Sequence, residues 1–283
     1  MGVPYAEVIG DPIAHSKSPA IHKFWLAKLG LPWEYRSTRV AVGQLAAFLE
    51  SRRKDPQWCG CSVTLPHKQT IMSLIDGSAS PSPTLGAVNC IVRDRSGRLT
   101  GHNTDWRGFL EPLQPWLALD KLYQMARVIG TGGAALAVSY ALARSNFTIV
   151  SVARDTGKAL ALRHRLELFD ADLVTDLAGL DDEAGWEARS NVLNLLVNAT
   201  PLGMAGFPRL PISVRSQPRD AIVYDLVYHP LETELLREAR QAGMTTIDGL
   251  AMLIGQAALA FELFFSEPAP REHDRELREL LTR

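Results

Sequence analysis

The sequence lacks a long apolar run, an excess of either charge and a regular cysteine pattern. Its 283 residues include 30 basic and 31 acidic side chains, giving a formal net charge of −1. Without blocks of like charge, general binding to nucleic acid or to a membrane surface is not expected. No stretch approaches the roughly 18 apolar residues of a bilayer span, and residues 1–11 do not resemble a signal peptide. We therefore expect a cytoplasmic protein.

The three cysteines fit neither a disulfide framework nor a zinc site. Cys59 and Cys61 flank a single glycine, and Cys90 lies far away in the sequence. This odd count lacks the spacing that paired cysteines or metal ligands show. We predict thiols that pack as small apolar residues, and no metal site.

Apolar runs rich in Val and Ile alternate with stretches of helical period along most of the chain. This alternation is typical of an α/β fold with a mainly parallel sheet. A break with two prolines and no clean period falls within residues 105–124. We therefore predict two α/β domains, residues 1–105 and residues 106–249. The apolar C-terminal helices, residues 250–283, are expected to pack back on the first domain and complete it.

The segment VIGTGGAALA, residues 128–137, places Gly130, Gly132 and Ala135 in G-x-G-x-x-A spacing between a strand and an alanine-rich helix. In a Rossmann dinucleotide-binding domain, the first glycine permits the turn, the second admits the pyrophosphate, and the small third residue lets the helix pack closely. Free N–H groups at the helix N-terminus would face the phosphates. We expect a Rossmann fold over residues 106–249, and the alternative is a tight turn without a ligand.

The strand after this turn, FTIVSV, ends at the segment ARDTGK. A carboxylate at this point would accept from the ribose 2′-hydroxyl of NAD, whereas a cation would pair with the 2′-phosphate of NADP. Arg154 and Lys158 are cations, and Asp155 competes with them. The balance favours NADP over NAD.

The segment SVTLPHKQ, residues 62–69, places Lys68 in the first turn of a predicted helix, HKQTIMSLID. A helix N-terminus disfavours a cation. A lysine whose charge is disfavoured is suited to acid–base use, although a solvated surface lysine is the alternative. Asp105 offers a carboxylate partner, but Thr104 or Asp105 could instead cap the helix that follows.

Four neutral polar residues follow predicted strands: Ser16, Ser18, Thr64 and Asn89. Ligand sites of open α/β sheets gather at the carboxyl ends of the strands. Singly, each of these residues is more often a cap or a turn residue. Together they predict a pocket of hydroxyl and amide groups that suits a polyhydroxylated ligand.

Eight ordered motifs, spread over nearly the whole chain, resemble those of the shikimate dehydrogenase family: SKSP, SVTLPHK, GAVN, GHNTDWRGF, GTGGA, NATPLGM, YDLVYHPLET and DGLAMLIGQAALAFELF. The resemblance implies an enzyme that reversibly reduces 3-dehydroshikimate to shikimate with NADPH, in the pathway to aromatic amino acids. It also implies that residues 1–105, completed by residues 250–283, bind the substrate and that residues 106–249 bind the cofactor. Lys68 and Asp105 would then form the catalytic pair.

By motif position, the resemblance implies two further groups of site residues. The substrate-binding residues would be Ser16, Ser18, Thr64, Asn89, Tyr228 and Gln256. The cofactor would lie along Gly130, Thr131, Gly132, Gly133, Ala134, Arg154, Lys158 and Gly249, with Leu226 near the nicotinamide.

Two positions depart from the family pattern. Ser62 stands where asparagine is usual, which puts the substrate preference in doubt, and Ala153 replaces an amide beside Arg154, which weakens NADP selectivity. The alternatives are therefore a quinate/shikimate dehydrogenase with NAD preference and a non-catalytic ligand-binding relative. A folate-interconverting dehydrogenase fits less well, because the serine pair and Asn89 suit a small polyol. We expect a small-molecule substrate as partner and a monomer or homodimer.

Overall fold

The computed structural model describes residues 2–119, 121, 123–168, 173–182 and 192–283. The chain forms two compact units, the first comprising Met1–Thr104 with Gln256–Arg283 and the second comprising Asp105–Gly255. The sequence-based expectation places the first boundary after residue 105 and the second after residue 249. No helix among the described residues is long and apolar enough to cross a membrane.

The first unit is built on a six-stranded sheet. Its strands in chain order are β1 Tyr5–Gly10, β2 Glu34–Arg39, β3 Trp58–Val63, β4 Gly77–Ser78, β5 Cys90–Arg93 and β6 Leu99–His102. Their spatial order is β2-β1-β3-β5-β6-β4. β1 pairs in parallel with β2 and β3, and β4 pairs in parallel with β6, whereas β5 runs antiparallel to β3 and β6. The sheet is thus mainly parallel, as predicted.

Local sequence signals explain several elements of the first unit. Its helices are α1 Ser18–Lys28, α2 Leu45–Arg53, α3 His67–Thr70, α4 Ser82–Leu85, residues 256–265 of the helix α11 Gly249–Phe265 and, at the end of the chain, α12 Asp274–Leu281. Pro19 occupies the first turn of α1, where its missing N–H group costs nothing. β5 and β6 form an antiparallel hairpin, and Gly97 takes a φ of +86° in the turn between them.

Apolar side chains cover both faces of this first sheet. One face carries a buried cluster that includes Ile9, Val63 and Trp58. On another part of the unit, His22 is fully buried and stacks face to face on Tyr35 with ring centroids 3.9 Å apart. Burial lowers the pKa of His22 to about 3, so this imidazole is neutral at physiological pH and packs as an apolar ring.

The cysteines of the first unit are free thiols. Cys61 and Cys90 are fully buried, and Cys59 is half-buried. Burial raises the pKa of both Cys61 and Cys90, which keeps them as unreactive thiols. Within the described part of the chain, no group of His, Cys, Asp and Glu side chains is arranged to hold a metal ion.

The second unit contains a six-stranded sheet in which every strand pair is parallel. Its strands are β7 Tyr123–Ile129, β8 Thr148–Val152, β9 Val174–Thr175, β10 Val192–Asn198, β11 Ile222–Asp225 and β12 Thr245–Asp248. Their spatial order is β12-β11-β10-β7-β8-β9. Counted from β7, this is the 3-2-1-4-5-6 order of the Rossmann fold, which confirms the prediction. The crevice for a dinucleotide in this order lies where β7 and β10 are neighbours.

The helices of the second unit are α5 Asp105–Leu110, α6 Gln114–Leu117, α7 Gly133–Arg144, α8 Thr156–Arg165, α9 Leu177–Asp182, α10 Glu234–Gln241 and the first residues of α11 Gly249–Phe265. Alanines fill the buried side of α7, with Ala135, Ala137 and Ala141 at most 1% exposed. These small side chains let the helix approach the sheet closely, so the N-terminus of α7 is held directly beyond the end of β7.

The backbone of β3 requires glycine at position 60. Gly60 has a φ of +155°, and a Cβ built on it would lie 2.1 Å from the carbonyl oxygen of Ile91. We predict that Gly60→Ala lowers the free energy of unfolding by about 3 kcal/mol, since β3 and β5 would have to separate. Gly43→Ala is the matched control, because a Cβ at Gly43 meets nothing within 4 Å.

The measurement is urea unfolding followed by tryptophan fluorescence. The control should stay within about 0.5 kcal/mol of the parent. Equal unfolding midpoints for the two variants would contradict the strained role of Gly60.

Candidate active site

The carboxyl ends of β1 and β3 meet at a close backbone approach. A Cβ on Gly10 would lie 2.5 Å from Cγ2 of Thr64 and 2.8 Å from the carbonyl oxygen of Leu65, so only glycine fits there. The Thr64 N–H donates to the carbonyl of Ile9 at 3.0 Å. Thr64, one of the predicted substrate-binding residues, is therefore fixed at the end of the sheet.

The serine loop, residues 13–18, connects β1 to α1 and carries two predicted site residues. The Ser16 N–H donates to the carbonyl of Ile13 at 3.0 Å, which closes a turn. The Ser18 N–H donates to Oγ of Ser16 at 3.3 Å. The structure thus joins Ser16 and Ser18 to each other at the start of α1.

Asn89 lies at the same sheet end, beside the last residue of β3. It is buried, its Oδ1 accepts from the Thr104 N–H at 2.8 Å, and its Nδ2 donates to Oγ1 of Thr104 at 2.9 Å. The same Nδ2 lies 3.3 Å from Oε1 of Gln256. Asn89 and Gln256, both predicted from motif position, are therefore in direct contact. The sequence suggests Thr104 only as a helix cap. No local pattern predicts its contact with Gln256.

The position of Lys68 is fixed by its own carbonyl group and by the side chain of its neighbour His67. Its carbonyl accepts from the Val88 N–H at 2.8 Å, next to Asn89. The preceding residue, His67, is buried, and its Nε2 lies 2.6 Å from the carbonyl oxygen of Val40. Lys68 is half-buried and lies four residues after Thr64, just beyond the same sheet end as the predicted polar residues.

The helix that carries Lys68 is shorter than the sequence indicates. The pattern predicts one helix over HKQTIMSLID, but α3 is a single turn followed by a 3₁₀ turn, Ile71–Leu74. The Ser73 hydroxyl donates to the carbonyl of Thr70 at 3.0 Å, a local bond that competes with helix propagation. Fewer aligned peptide units give a smaller dipole, so the electrostatic argument for Lys68 carries less weight than expected.

Asp105 is the first residue of α5 and of the second unit. Its side chain is 7% exposed. A carboxylate in the first turn of a helix is stabilised by the helix dipole. Tyr228, also in the second unit, is half-buried, and burial raises its pKa, which keeps the phenol protonated at neutral pH.

Ser62, the departure from the family pattern, has a defined partner. The hydroxyl of Tyr35 donates to Oγ of Ser62 at 2.7 Å. Because Tyr35 is fully buried against His22, its hydroxyl has little freedom to turn elsewhere. Ser62 lies on β3, the strand that leads to Thr64. Its side chain, shorter than that of asparagine, is thus held by the buried Tyr35 of β2.

The glycine turn of the second unit leaves open space above a helix N-terminus. Gly130 has a φ of +121°, and its Cβ would lie 3.0 Å from the carbonyl oxygen of Ala199 at the end of β10. Cβ atoms at Gly132 and Gly133 would meet nothing within 4 Å. Gly132 precedes α7, and no side chain caps that helix. The exposed N–H groups and the free space fit a bound pyrophosphate.

Asp155 caps α8, and both of its carboxylate oxygens face Lys158. One oxygen accepts from the Lys158 N–H at 3.2 Å, and the other lies 3.8 Å from the Lys158 ammonium. Arg154 is exposed at the end of β8, beside buried Ala153. The structure therefore engages the competing carboxylate in helix capping and leaves Arg154 exposed just beyond the end of β8.

A buried hydrogen-bond network that the sequence interpretation missed holds the ends of β10 and β11. Asp225 accepts from Nδ2 of Asn198 at 2.9 Å, from the Val227 N–H at 3.0 Å and from the Thr233 hydroxyl at 2.7 Å. Oδ1 of Asn198 accepts from the Thr200 N–H at 3.0 Å. The sequence does contain a signal for this network, because the motifs NATPLGM and YDLVYHPLET place polar residues at the ends of two neighbouring strands.

This network leads directly to Leu226 and Gly249. A Cβ on Gly249 would lie 2.1 Å from the carbonyl oxygen of Leu226, and the Gly249 N–H donates to the carbonyl of Val227 at 3.3 Å. Asp248 caps α11 by accepting from the N–H groups of Leu250 and Ala251. The structure thus brings together Leu226 and Gly249, two of the residues predicted to lie along the cofactor.

Comparisons with known proteins identify the family of this chain. The family model of the shikimate dehydrogenase substrate binding domain matches residues 8–91, and that of the shikimate 5′-dehydrogenase C-terminal domain matches residues 249–277. A protein named shikimate dehydrogenase (NADP(+)) from Sphingopyxis alaskensis is 50% identical over 98% of this chain and 97% of its own length. The chain belongs to the shikimate dehydrogenase family. The family predicted from the motif order is confirmed.

Two solved structures show how widely the fold of this family member is shared. Shikimate 5-dehydrogenase from Thermus thermophilus, in complex with NADP(H) and shikimate, is 33% identical with a TM-score of 0.84 and covers 98% of this chain and 99% of its own. Quinate dehydrogenase from Corynebacterium glutamicum, in complex with NAD, is 32% identical with a TM-score of 0.85 and the same coverage. The fold is therefore common to proteins named for different polyols and different cofactors.

Thr233 provides a test of the buried network in this family member. Its hydroxyl donates to Asp225 and accepts from the Leu236 N–H as the cap of α10. We predict that Thr233→Val lowers the free energy of unfolding by about 1–3 kcal/mol, because a buried carboxylate loses a donor. Thr233→Ser keeps both bonds and should stay close to the parent.

The loss should depend on pH. Burial raises the pKa of Asp225 above its ordinary value of 3.8, and the Thr233 hydroxyl opposes that rise. A raised folded-state pKa means that stability is lost as the pH rises through it. Thr233→Val raises this pKa further, so the stability gap to the parent should widen as the pH rises above 3.8. Urea midpoints measured from acidic to neutral pH report the gap, and a gap independent of pH would contradict a role for the Asp225 contact.

Proposed function

We propose that this chain is an NADP-dependent shikimate dehydrogenase that reversibly reduces 3-dehydroshikimate to shikimate on the route to chorismate and the aromatic amino acids. The observation that carries the proposal is the polar edge of the first unit: Ser16, Ser18, Thr64, Asn89 and Gln256. These side chains lie on elements fixed by backbone bonds, next to a lysine held in the same way. Family membership and the relatives named for shikimate and NADP support the same reaction.

Each unit has its own task in this proposal. The first unit binds the polyol, because the polar edge offers hydroxyl and amide groups that can both donate and accept. Tyr228 is a further substrate-binding residue implied by the family motifs. The second unit binds the dinucleotide along Gly130 to Ala134, Arg154, Lys158, Leu226 and Gly249. The open space at the glycine turn and the exposed cation at the end of β8 fit NADP.

Lys68 and Asp105 carry the proton chemistry in this proposal. The nicotinamide, when bound, supplies or accepts the hydride. Lys68 gives a proton to the oxygen of the bound ketone, and in the reverse direction it takes the proton from the hydroxyl. Asp105 orients the lysine and accepts a hydrogen bond from the neighbouring hydroxyl of the substrate. The contact of the His67 ring with the Val40 carbonyl and the bond from the Val88 N–H to the Lys68 carbonyl fix the starting position of the lysine side chain.

Quinate oxidation with NAD is the second candidate function. Ser62 favours it, since a smaller side chain held by Tyr35 leaves more room than asparagine would. The match to a quinate dehydrogenase in complex with NAD supports the same alternative. Capping of α8 by Asp155 counts against it, because the carboxylate that NAD would need is engaged with Lys158. A non-catalytic ligand-binding role is disfavoured because it would not require both Lys68 and Asp105.

The location and assembly stay predictions. We expect the enzyme to act in the cytoplasm, where its small-molecule substrate and cofactor would be available. We expect a monomer or a homodimer, which sedimentation would distinguish.

An absorbance assay at 340 nm with shikimate and quinate against NADP⁺ and NAD⁺ tests the function. We predict turnover of shikimate with NADP⁺, and a fall in kcat of about 10³-fold in Lys68→Ala because the proton donor is lost. Gln69→Ala is the matched control, since Gln69 is an exposed neighbour in α3. Faster quinate oxidation with NAD⁺ would select the second candidate, and a fully active Lys68→Ala enzyme would refute the catalytic lysine.

Arg154 tests the cofactor assignment by binding alone. We predict that Arg154→Ala raises the Kd for NADP⁺ about tenfold and leaves the Kd for NAD⁺ unchanged, because only NADP⁺ carries the 2′-phosphate. Isothermal titration measures both values. Arg144→Ala, which removes an exposed cation from the far end of α7, should change neither. A parallel loss of NAD⁺ affinity in Arg154→Ala would argue against 2′-phosphate recognition.

A further inference from the structure

We propose that Lys17 is a positioning residue that anchors the serine loop to the C-terminal helix α12 and thereby sets the affinity for the polyol substrate. The proposal rests on the function above, because it assigns substrate binding to Ser16 and Ser18. Lys17 itself is assigned no contact with substrate. Its effect passes through the backbone of the two serines that flank it.

The anchor is a single charged hydrogen bond over a long sequence separation. The ammonium of Lys17 donates to the carbonyl oxygen of Leu281 at 2.7 Å. Leu281 is the last residue of α12, where carbonyl groups lack partners within the helix and the dipole favours a cation. Such a bond from a charged donor is stronger than a neutral one.

Lys17 sits where a small shift would move both serines. It lies between Ser16 and Ser18 and precedes the first residue of α1. Its own carbonyl accepts from the Ile21 N–H at 3.1 Å, so the side-chain anchor and the start of α1 share one residue. Outside this point the serine loop is held by the turn at Ile13 and by the Ser16–Ser18 contact. Loss of the anchor therefore frees the part of the loop that carries the hydroxyl groups.

The helix that accepts the bond is itself fixed to α1. Leu277 and Leu281 of α12 are buried, and the ammonium of Lys28 lies 2.6 Å from a carboxylate oxygen of Glu276. Lys28 belongs to the last turn of α1, far from the serines. The two helices are thus joined at both ends of α1, but only the Lys17 bond adjoins the predicted substrate-binding residues.

This pair of bonds supplies a matched comparison. Lys17→Met and Lys28→Met each remove one cation that links α1 to α12, with a similar apolar replacement. A merely structural role predicts that both variants lower the thermal midpoint and that neither selectively changes substrate binding. A positioning role predicts that only Lys17→Met changes the KM for shikimate.

We expect Lys17→Met to raise the KM for shikimate about tenfold. This factor corresponds to the lower end of the free energy that a hydrogen bond from a charged group contributes. The kcat and the KM for NADP⁺ should stay nearly unchanged. Lys17→Arg, which can still donate to the Leu281 carbonyl, should restore the KM. Hydrogen exchange should become faster across residues 13–18 in Lys17→Met, and should not change there in Lys28→Met. Thermal midpoints of all variants verify that they are folded.

Three results would overturn the proposal. They are an unchanged KM in Lys17→Met, an equal rise of the KM in Lys28→Met, and unaltered exchange of the serine loop. If Lys17→Met fails to fold, Lys17→Gln takes its place, with a smaller rise in KM expected. The parent enzyme separates this test from the test of function, because a parent that does not turn over shikimate refutes the proposed function, whereas an active parent with these results refutes only the anchor.

Discussion

The buried amide of Asn89 is the interaction on which the candidate substrate site depends. Asn89 lies just before β5. It bonds to Thr104, the last residue of the segment Met1–Thr104, and to Gln256, the first residue of the segment Gln256–Arg283. A buried amide that loses its hydrogen-bond partners destabilises the fold, so separating these two segments would destabilise the first unit. The same bonds that stabilise the first unit therefore place the amide groups that a polyol would meet.

The second unit uses the same physical device at its own sheet end. Asp225 and Asn198 lie at the carboxyl ends of adjacent parallel strands, and their buried side chains hold the loops that follow. Burial raises the pKa of Asp225, and three donors offset part of that cost. Neighbouring glycines at positions 130 and 249 then allow backbone to approach backbone. Rigid loops at open strand ends are what a dinucleotide site requires.

The sequence predicted what local patterns encode. Alternating apolar and helical periods predicted the two α/β units, and the strand–glycine–helix segment at Gly130 predicted the parallel Rossmann sheet. It did not predict the end of α3, because the Ser73 hydroxyl bond to the Thr70 carbonyl is a local competitor of the helix that the apolar period does not reveal. It also missed Thr104 and Thr233, whose partners are set by tertiary contacts. The Lys17 bond to Leu281 spans 264 positions, and no local pattern encodes it.

Lys68 shows how the structure changes the physical reason behind an expectation. The sequence drew attention to this lysine because a cation at a helix N-terminus is disfavoured, yet α3 is a single turn with a small dipole. The structure offers geometry in its place: the buried ring of His67 reaches the Val40 carbonyl, and the Lys68 carbonyl receives the Val88 N–H. A proton donor contributes only when it is held within reach of the reacting oxygen. The proposed catalytic role of Lys68 therefore depends on the backbone that positions it more than on the helix that carries it.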